Sequence, residues 1–383
     1  MPAPARVCFV VENLLPAGTE LWIVRLIERL DRSRVEPFLC LLDGENELST
    51  NLIPDNCKTL CLGMKSICSR HGLRSGRRFY RWLKHNDIQI VQVHHADPTY
   101  FGVPIAKLAG VKKILQTKYD LGYWLTFRDL WLHRLARRFV DLTVANCRAC
   151  QVAATEQEWA PRNGVVVVDN GISIDRLAEI EPLNMTDAQQ VNVGMVCNLR
   201  SVKDPFVFVQ AAKSVLTTRD NVHFHIAGDG EMFSQVQRHI DEANLTERFT
   251  IHGAVEDVPR FLESMHIAVL CSQSEGLSHS VLEYMAAGRA IAVTEVGGNC
   301  ELITHESSGL LFRAGDANGL TASIERYIAD PPFANRMGAS ARKVVSERYS
   351  LEAMTARFEA FYSGLVKPRS SQSIERTANC IAT

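Results

Sequence analysis

At 383 residues, with 46% apolar and 22% charged residues and a formal net charge of −1, the chain has the composition of a globular protein long enough for two domains. No apolar run reaches the roughly 20 residues that span a bilayer, and no nucleic-acid recognition motif accompanies the charge. Eleven cysteines, an odd count with Cys8, Cys40, Cys197 and Cys271 inside apolar runs, argue for buried reduced thiols over a disulfide framework.

Met1-Pro2-Ala3-Pro4-Ala5-Arg6 leads into an apolar run without the blocks of a secretory leader, so the expectation is a cytoplasmic protein. Val7 to Val11 reads as a first buried strand and Leu14 to Gly18 as a turn. Leu21, Val24, Leu26, Ile27 and Leu30 then recur at helical spacing. A glycine turn between a strand and a helix lets backbone approach a phosphate or sugar, which makes Gly18 a candidate. No Gly-x-Gly-x-x-Gly accompanies it, so it is not a dinucleotide fingerprint.

Residues 1–180 hold 24 Lys and Arg against 19 Asp and Glu, and the remainder 18 against 24, so the halves differ in sign. The basic excess is local. Lys65, Arg70, Arg74, Arg77, Arg78, Arg81 and Lys84 run without an acid, with Phe79, Tyr80 and Trp82 interleaved. A solvated helix face, an anionic membrane surface reached through residues 65–84 and a charged acceptor all fit this pattern, with membrane contact placed slightly ahead.

Further strands are predicted at Val35 to Leu42, Ile88 to Val93, Lys113 to Thr117, Leu142 to Ala145 and Val165 to Val168, alternating with helices. That alternation predicts a parallel, doubly wound sheet with functional loops at the strand C-termini. Two of those loops are polar, His94-His95-Ala96-Asp97 and Gln116-Thr117-Lys118-Tyr119-Asp120. The segment Trp124 to Arg138 reads as a helix rich in Trp, Leu and Arg, for which core packing is the default and an acceptor-side or interfacial role the sharper alternative. Cys147 with Cys150, and Cys57 with Cys61, have spacings that a metal or redox pair could use, but no second pair follows at a matching distance. The polar stretch Glu181 to Gln190 reads as a linker.

The second half repeats the plan: Val191 to Val196 leads to Asn198-Leu199-Arg200-Ser201-Val202-Lys203, His223 to Ala227 to a glycine turn, and Phe249 to His252 to Gly253-Ala254. Ile267 to Cys271 is too short for a helix and rich in branched residues, hence a buried strand. Ser272-Gln273-Ser274-Glu275-Gly276-Leu277-Ser278 breaks it, and Val281, Leu282, Met285, Ala286 and Ala287 give helical spacing up to Gly288. Strand, polar turn and helix leave backbone N–H groups free at the helix start, a natural phosphate site. Glu275 and Glu283 flank the turn as acceptors suited to paired hydroxyls of a sugar or ribose; a solvated first-turn acid and a loop acid would be the plain alternative.

Glu275-Gly276-Leu277-Ser278-His279-Ser280-Val281-Leu282-Glu283, followed in order by Val296-Gly297-Gly298-Asn299-Cys300-Glu301 and Ser308-Gly309-Leu310-Leu311, resembles the paired-glutamate region of retaining GT-B glycosyltransferases, the large family 4. The resemblance covers most of the chain. It implies an α/β GT-B fold, two doubly wound Rossmann-like domains facing across a cleft. The implied division is an acceptor-side domain over 1–180, a nucleotide-sugar domain over 181–348, a helix crossing back over 349–367 and a disordered tail over 368–383.

The resemblance also implies roles: Glu283 on the ribose, Glu275 on the donor sugar, Lys203 with Arg200 on the diphosphate, and Gly276, Leu277 and Ser278 in the cradle. Gly253 and Ala254 meet the base, and Gly18 approaches the donor. Asn198 stands where the family has an arginine, and Tyr119, beside Lys118, where it has a histidine; with His94 or His95 these are the candidate acceptor or sugar contacts. The implied activity is metal-independent transfer of a sugar from a nucleoside-diphosphate sugar, with no cofactor and no nucleic acid, to a hydroxyl of a lipid-linked, oligosaccharide or envelope-polysaccharide acceptor at the inner membrane face. A sugar-nucleotide epimerase, a phosphorylase and a non-catalytic sugar-nucleotide binder remain alternatives on the same fold.

Overall fold

A computed structural model describes residues 3–15, 18–43, 47–64, 66–123, 125–186 and 188–366. The chain divides into two compact units, one running to Gly171 and resuming at Leu351, the other spanning Ile172–Ser350. The division thus falls ahead of the expected boundary at 180. Ala17, Lys65, Trp124 and the expected tail over 368–383 lie outside the described residues.

The first unit is built on β1 (Ala5–Val11), β2 (Val35–Leu41), β3 (Lys58–Cys61), β4 (Ile90–Val93), β5 (Lys113–Lys118), β6 (Leu142–Ala145) and β7 (Val165–Val167). All pair in parallel in the order β3-β2-β1-β4-β5-β6-β7, with Val7 opposite both Pro37 and Ile90. Runs such as Val7-Cys8-Phe9-Val10-Val11 are buried on both faces, as strands of a sheet covered by helices must be. β3 was not anticipated: Lys58-Thr59-Leu60-Cys61 is short, partly exposed and at the sheet edge, so it has no long apolar run to announce it.

Helices cover both faces. On one, Trp22, Ile23, Leu26 and Ile27 of the helix Gly18–Arg29 pack with Met354, Phe358, Phe361 and Tyr362 of the closing helix Leu351–Val366. On the other, Phe79 and Leu83 of the helix Arg70–His85 pack with Phe101, Val103 and Ala106 of the helix Ala96–Leu108. Ion pairs join Arg29 to Glu352 and Arg34 to Glu359. The aromatic helix runs Phe127–Arg137, started by a reciprocal cap between Thr126 and Asp129. Cys147 caps its own helix, its sulfur accepting from the Cys150 N–H, so this Cys-x-x-Cys pair is a buried helix start.

The second unit holds β8 (Val191–Val196), β9 (Val222–Ala227), β10 (Phe249–Ile251), β11 (Ile267–Leu270), β12 (Ala290–Thr294) and β13 (Leu310–Phe312), parallel throughout in the order β10-β9-β8-β11-β12-β13. Chain order reverses between β8 and β11 here and between β1 and β4 in the first unit. Each reversal opens a crevice at the strand C-termini, where ligands of such sheets bind.

Candidate functional site

The loops leaving β8 and β11 flank the second unit's reversal, and they carry Lys203 and Glu275. Lys203 Nζ lies 2.6 Å from Glu275 Oε1, and Ser272 Oγ donates to the same oxygen at 2.5 Å. The pair is accessible at one end: the Lys203 side chain keeps 21% of its surface and Glu275 10%. Ser272 is fully buried, and its carbonyl accepts from Thr294 Oγ1 at 2.7 Å, which fixes the bend that presents Glu275. Sequence reasoning missed Ser272; its only signal was its position three residues before the acid.

Glycines shape the bend. A Cβ on Gly298 would meet the Gly276 carbonyl oxygen at 2.2 Å, and the Gly298 N–H donates to the Glu275 carbonyl at 3.3 Å. The loop Val296-Gly297-Gly298 therefore backs the glutamate loop at a distance only glycine allows. Ser278 caps the helix His279–Ala286, accepting from the Val281 N–H. Among the described residues no protein acceptor takes the N–H groups of Gly276, Leu277 or Ser280. Glu283 is half-buried one turn along this helix. Its neighbour Tyr284 is fully buried, its hydroxyl accepting from the Val196 N–H at 2.7 Å and donating to the Val269 carbonyl at 3.1 Å, so the helix is tied to β8 and β11 together.

The remaining loops of this edge are joined by backbone hydrogen bonds. Gln273 N–H donates to Val202, Leu199 N–H to Asp229, and Gly228 N–H to Gly253 at 2.7 Å. A Cβ on Gly228 would meet the Cys197 carbonyl at 1.7 Å, so these loops stack in direct contact. Gly253 has a left-handed backbone with open space where a side chain would stand, and Ala254 is exposed. Arg200 and Asn198 are exposed on the β8 loop, and Arg200 forms no ion pair among the described residues. Burial pushes the Cys197 thiol up to about 12 and Cys271 well above its ordinary value, so these thiols beside the site stay protonated.

At the first unit's reversal, Glu20 lies 3.6 Å from His95 Nε2. Burial raises Glu20, helped by Glu12, while burial lowers His95. His95 takes a left-handed backbone at φ 70°, and Gly18 is exposed at its helix start. His94 is sealed: its Nδ1 meets the Tyr119 hydroxyl, its ring stacks on Phe9 and Tyr119, and burial holds it well below the usual histidine range. Lys118 is sealed as well. Its ammonium is held by Glu158 at 2.7 Å and Asp120 at 3.4 Å with 7% of the side chain exposed. Burial pulls Lys118 down, but Glu158 and Asp120 outweigh it and leave the group raised. Of the three contacts expected on these loops, His95 is half-exposed, Tyr119 is half-buried against His94, and Lys118 is committed to its partners.

Two doubly wound parallel units, each with polar loops at its reversal, define a GT-B glycosyltransferase fold. The family described as "Glycosyl transferases group 1" matches residues 178–344, and that described as "Glycosyltransferase Family 4" matches residues 16–176. The chain belongs to the family 4 glycosyltransferases and is an enzyme of that class. It is similar to the UDP-Gal:alpha-D-GlcNAc-diphosphoundecaprenol alpha-1,3-galactosyltransferase of Escherichia coli, 23% identical over 82% of this chain and 83% of the relative. It is 29% identical to the lipopolysaccharide core biosynthesis glycosyltransferase LpsD of Rhizobium meliloti, over 91% of this chain and 96% of that protein. Among solved structures, Anabaena Alr3699/HepE in complex with UDP and glucose superposes with a TM-score of 0.82 at 18% identity, covering 94% of this chain and 100% of that one. A glycosyltransferase from Rickettsia africae superposes with a TM-score of 0.83 at 18% identity, over 96% and 100%. Among the described residues no helix is long and apolar enough to cross a membrane, and no cluster of three His, Cys, Asp or Glu is arranged to hold a metal ion.

Proposed function

We propose that this glycosyltransferase is retaining and metal-independent, moving a sugar from a nucleoside-diphosphate sugar to a hydroxyl of a lipid-linked or envelope-glycoconjugate acceptor. The observation that carries this reading is the Lys203–Glu275 contact of 2.6 Å at the second unit's reversal. As the bond to the sugar breaks, negative charge gathers on the departing diphosphate. Lys203 and the exposed Arg200 neutralise it, in the place a divalent metal would fill in other enzymes, and the N–H groups from Gly276 to Ser280 add fixed donors. Glu275 accepts from the donor sugar's hydroxyls, Glu283 from the ribose, and the Gly253–Ala254 backbone meets the base.

Gly18, His95 and Tyr119 serve the sugar or acceptor side from the first unit, with Lys118 holding their loop in shape. The lipid-linked substrate named for the Escherichia coli relative and the core-polysaccharide role named for LpsD support an acceptor of this class, and the UDP and glucose held by HepE support the donor class. The transferase names of these relatives weigh against the epimerase alternative. The acidless basic run over 65–84 suits an anionic inner membrane face, and the arginines it places on the helix Arg70–His85 are exposed.

The test is a screen of nucleotide sugars with a polyprenyl-diphosphate-linked acceptor. Release of nucleoside diphosphate that requires acceptor, with the anomeric configuration kept and turnover unchanged by a chelator, is the expected result. Glu275→Gln and Lys203→Ala should then abolish transfer in folded protein; wild-type turnover in either variant removes the mechanism.

A further inference from the structure

The helix Phe127–Arg137 carries an apolar stripe that points away from the core. Phe127, Trp131 and Leu135, spaced four residues apart, are 75%, 54% and 56% exposed, and Trp159, from the loop after the next helix, is 61% exposed. Single exposed apolar residues are ordinary, but these four form one patch. Phe127 meets Trp131 with ring centroids 6.2 Å apart, and Trp131 meets Trp159 at 6.4 Å. The Arg134 guanidinium stacks over the Trp159 ring at 3.3 Å and donates to the Gln157 carbonyl.

Trp159 is also held there at a cost. Its φ of 57° lies in the left-handed region that bulky side chains avoid. The adjacent Glu158 is 2% exposed and gripped by Lys118 on β5, so a buried ion pair fixes the backbone that turns the indole outward. A strained residue kept by a buried anchor marks a position whose display matters.

We propose that this aromatic edge inserts into the interfacial zone of an anionic phospholipid membrane and docks the first unit there. The proposal rests on the membrane contact read for residues 65–84 and adds the apolar half of that contact. The helix Phe127–Arg137 packs on Ala96–Leu108, which packs in turn on Arg70–His85, so stripe and basic helix share one layer on one face of the sheet. Arg70, Arg74, Arg77, Arg81 and Lys84 are exposed on the basic helix, which has no acid, and Arg134 and Arg138 border the stripe.

Charge decides the occupant. A second copy of this chain would set these cations against themselves, whereas an anionic leaflet complements them and takes indole rings at headgroup depth.

The full chain is mixed with vesicles of phosphatidylethanolamine and phosphatidylglycerol carrying brominated acyl chains, and its tryptophan fluorescence is read against phosphatidylcholine vesicles and free glycerophosphate. Quenching with anionic vesicles only, with a bound fraction that survives high salt, is expected. Trp131→Ala with Trp159→Gly, the latter suiting the left-handed backbone, should keep the melting temperature, weaken vesicle binding about tenfold and remove the salt-resistant fraction.

Binding lost wholly in high salt with no quenching would overturn insertion while sparing the basic-helix contact; no binding at all would overturn both. Self-association of the wild type that these substitutions abolish, without quenching, would assign the edge to a second copy and overturn the proposal. Turnover on a water-soluble acceptor should stay at the wild-type level in the double variant, so failure of the transfer reading shows there and not with vesicles.

Discussion

Each unit places a lysine and a glutamate together at the C-terminal edge of its sheet, and the two pairs differ in what surrounds them. Lys118 and Glu158 meet at 2.7 Å with 7% and 2% of their side chains exposed, whereas Lys203 and Glu275 meet at 2.6 Å with 21% and 10% exposed. An ammonium sealed with its counter-ion has no face left for a ligand. One at the rim of a loop cluster can trade its carboxylate for a phosphate without a burial cost. Residue type and position after a strand nominate both lysines equally; access to solvent separates them.

Substitution at the two lysines sharpens this contrast. Lys118→Met leaves Glu158 buried and unpaired, and the expected loss is about 3–5 kcal/mol of stability in denaturant unfolding, with a lesser fall in turnover per folded molecule as the loop carrying Tyr119 loosens. Adding Glu158→Gln should recover part of the loss, because the orphaned charge is then gone. Lys203→Met should do the reverse: single-turnover kinetics lose about a hundred- to a thousandfold, by analogy with removing one donor to a developing anion, while the unfolding midpoint hardly moves. Equal effects on stability and turnover at both lysines would erase the distinction.

Gly298→Ala probes the backing of the accessible pair. The added Cβ meets the Gly276 carbonyl at 2.2 Å, and an overpacking cost of about 1–3 kcal/mol is expected, with turnover falling further as Glu275 is displaced. Calorimetric melting and donor-dependent kinetics on the same sample separate the two effects.

The smallest effect concerns acid. Burial, with His223 and His252 beside it, pulls His225 down to about 4 from an ordinary 6.5. Below pH 6.5 the unfolded chain takes up a proton that the folded state refuses. Stability is therefore full above that pH and drains as pH falls toward 4. His225→Asn should flatten part of the melting-temperature decline across that window; an unchanged profile would show that other groups set it.

The sheets were legible because strands buried on both faces need continuous branched runs, as in Ile267-Ala268-Val269-Leu270. An ordered motif nominates Glu275, and the family resemblance of the loop after β8 nominates Lys203; the structure brings the two together. Their geometry was not legible, because Ser272 acts through a carbonyl held by Thr294, far along the chain. Sequence alone makes Lys118 a candidate acceptor or sugar contact because Glu158, forty positions away, leaves no mark near it. Edge strand β3 and the loop contact at Gly298 were missed for the same reason: short segments and backbone approaches have no periodicity.

The backbone bonds that join the loops after β8, β9, β10 and β11 bear on how this protein can change. An insertion in any one of them would unfasten its neighbour, so lengthening is closed as a route to a new donor. Descendants that accept a different sugar or base must get there by exchanging side chains on a frame of constant length, and their alignments should run without gaps through Cys197–Lys203, Gly228–Gly230 and Ser272–Ser278.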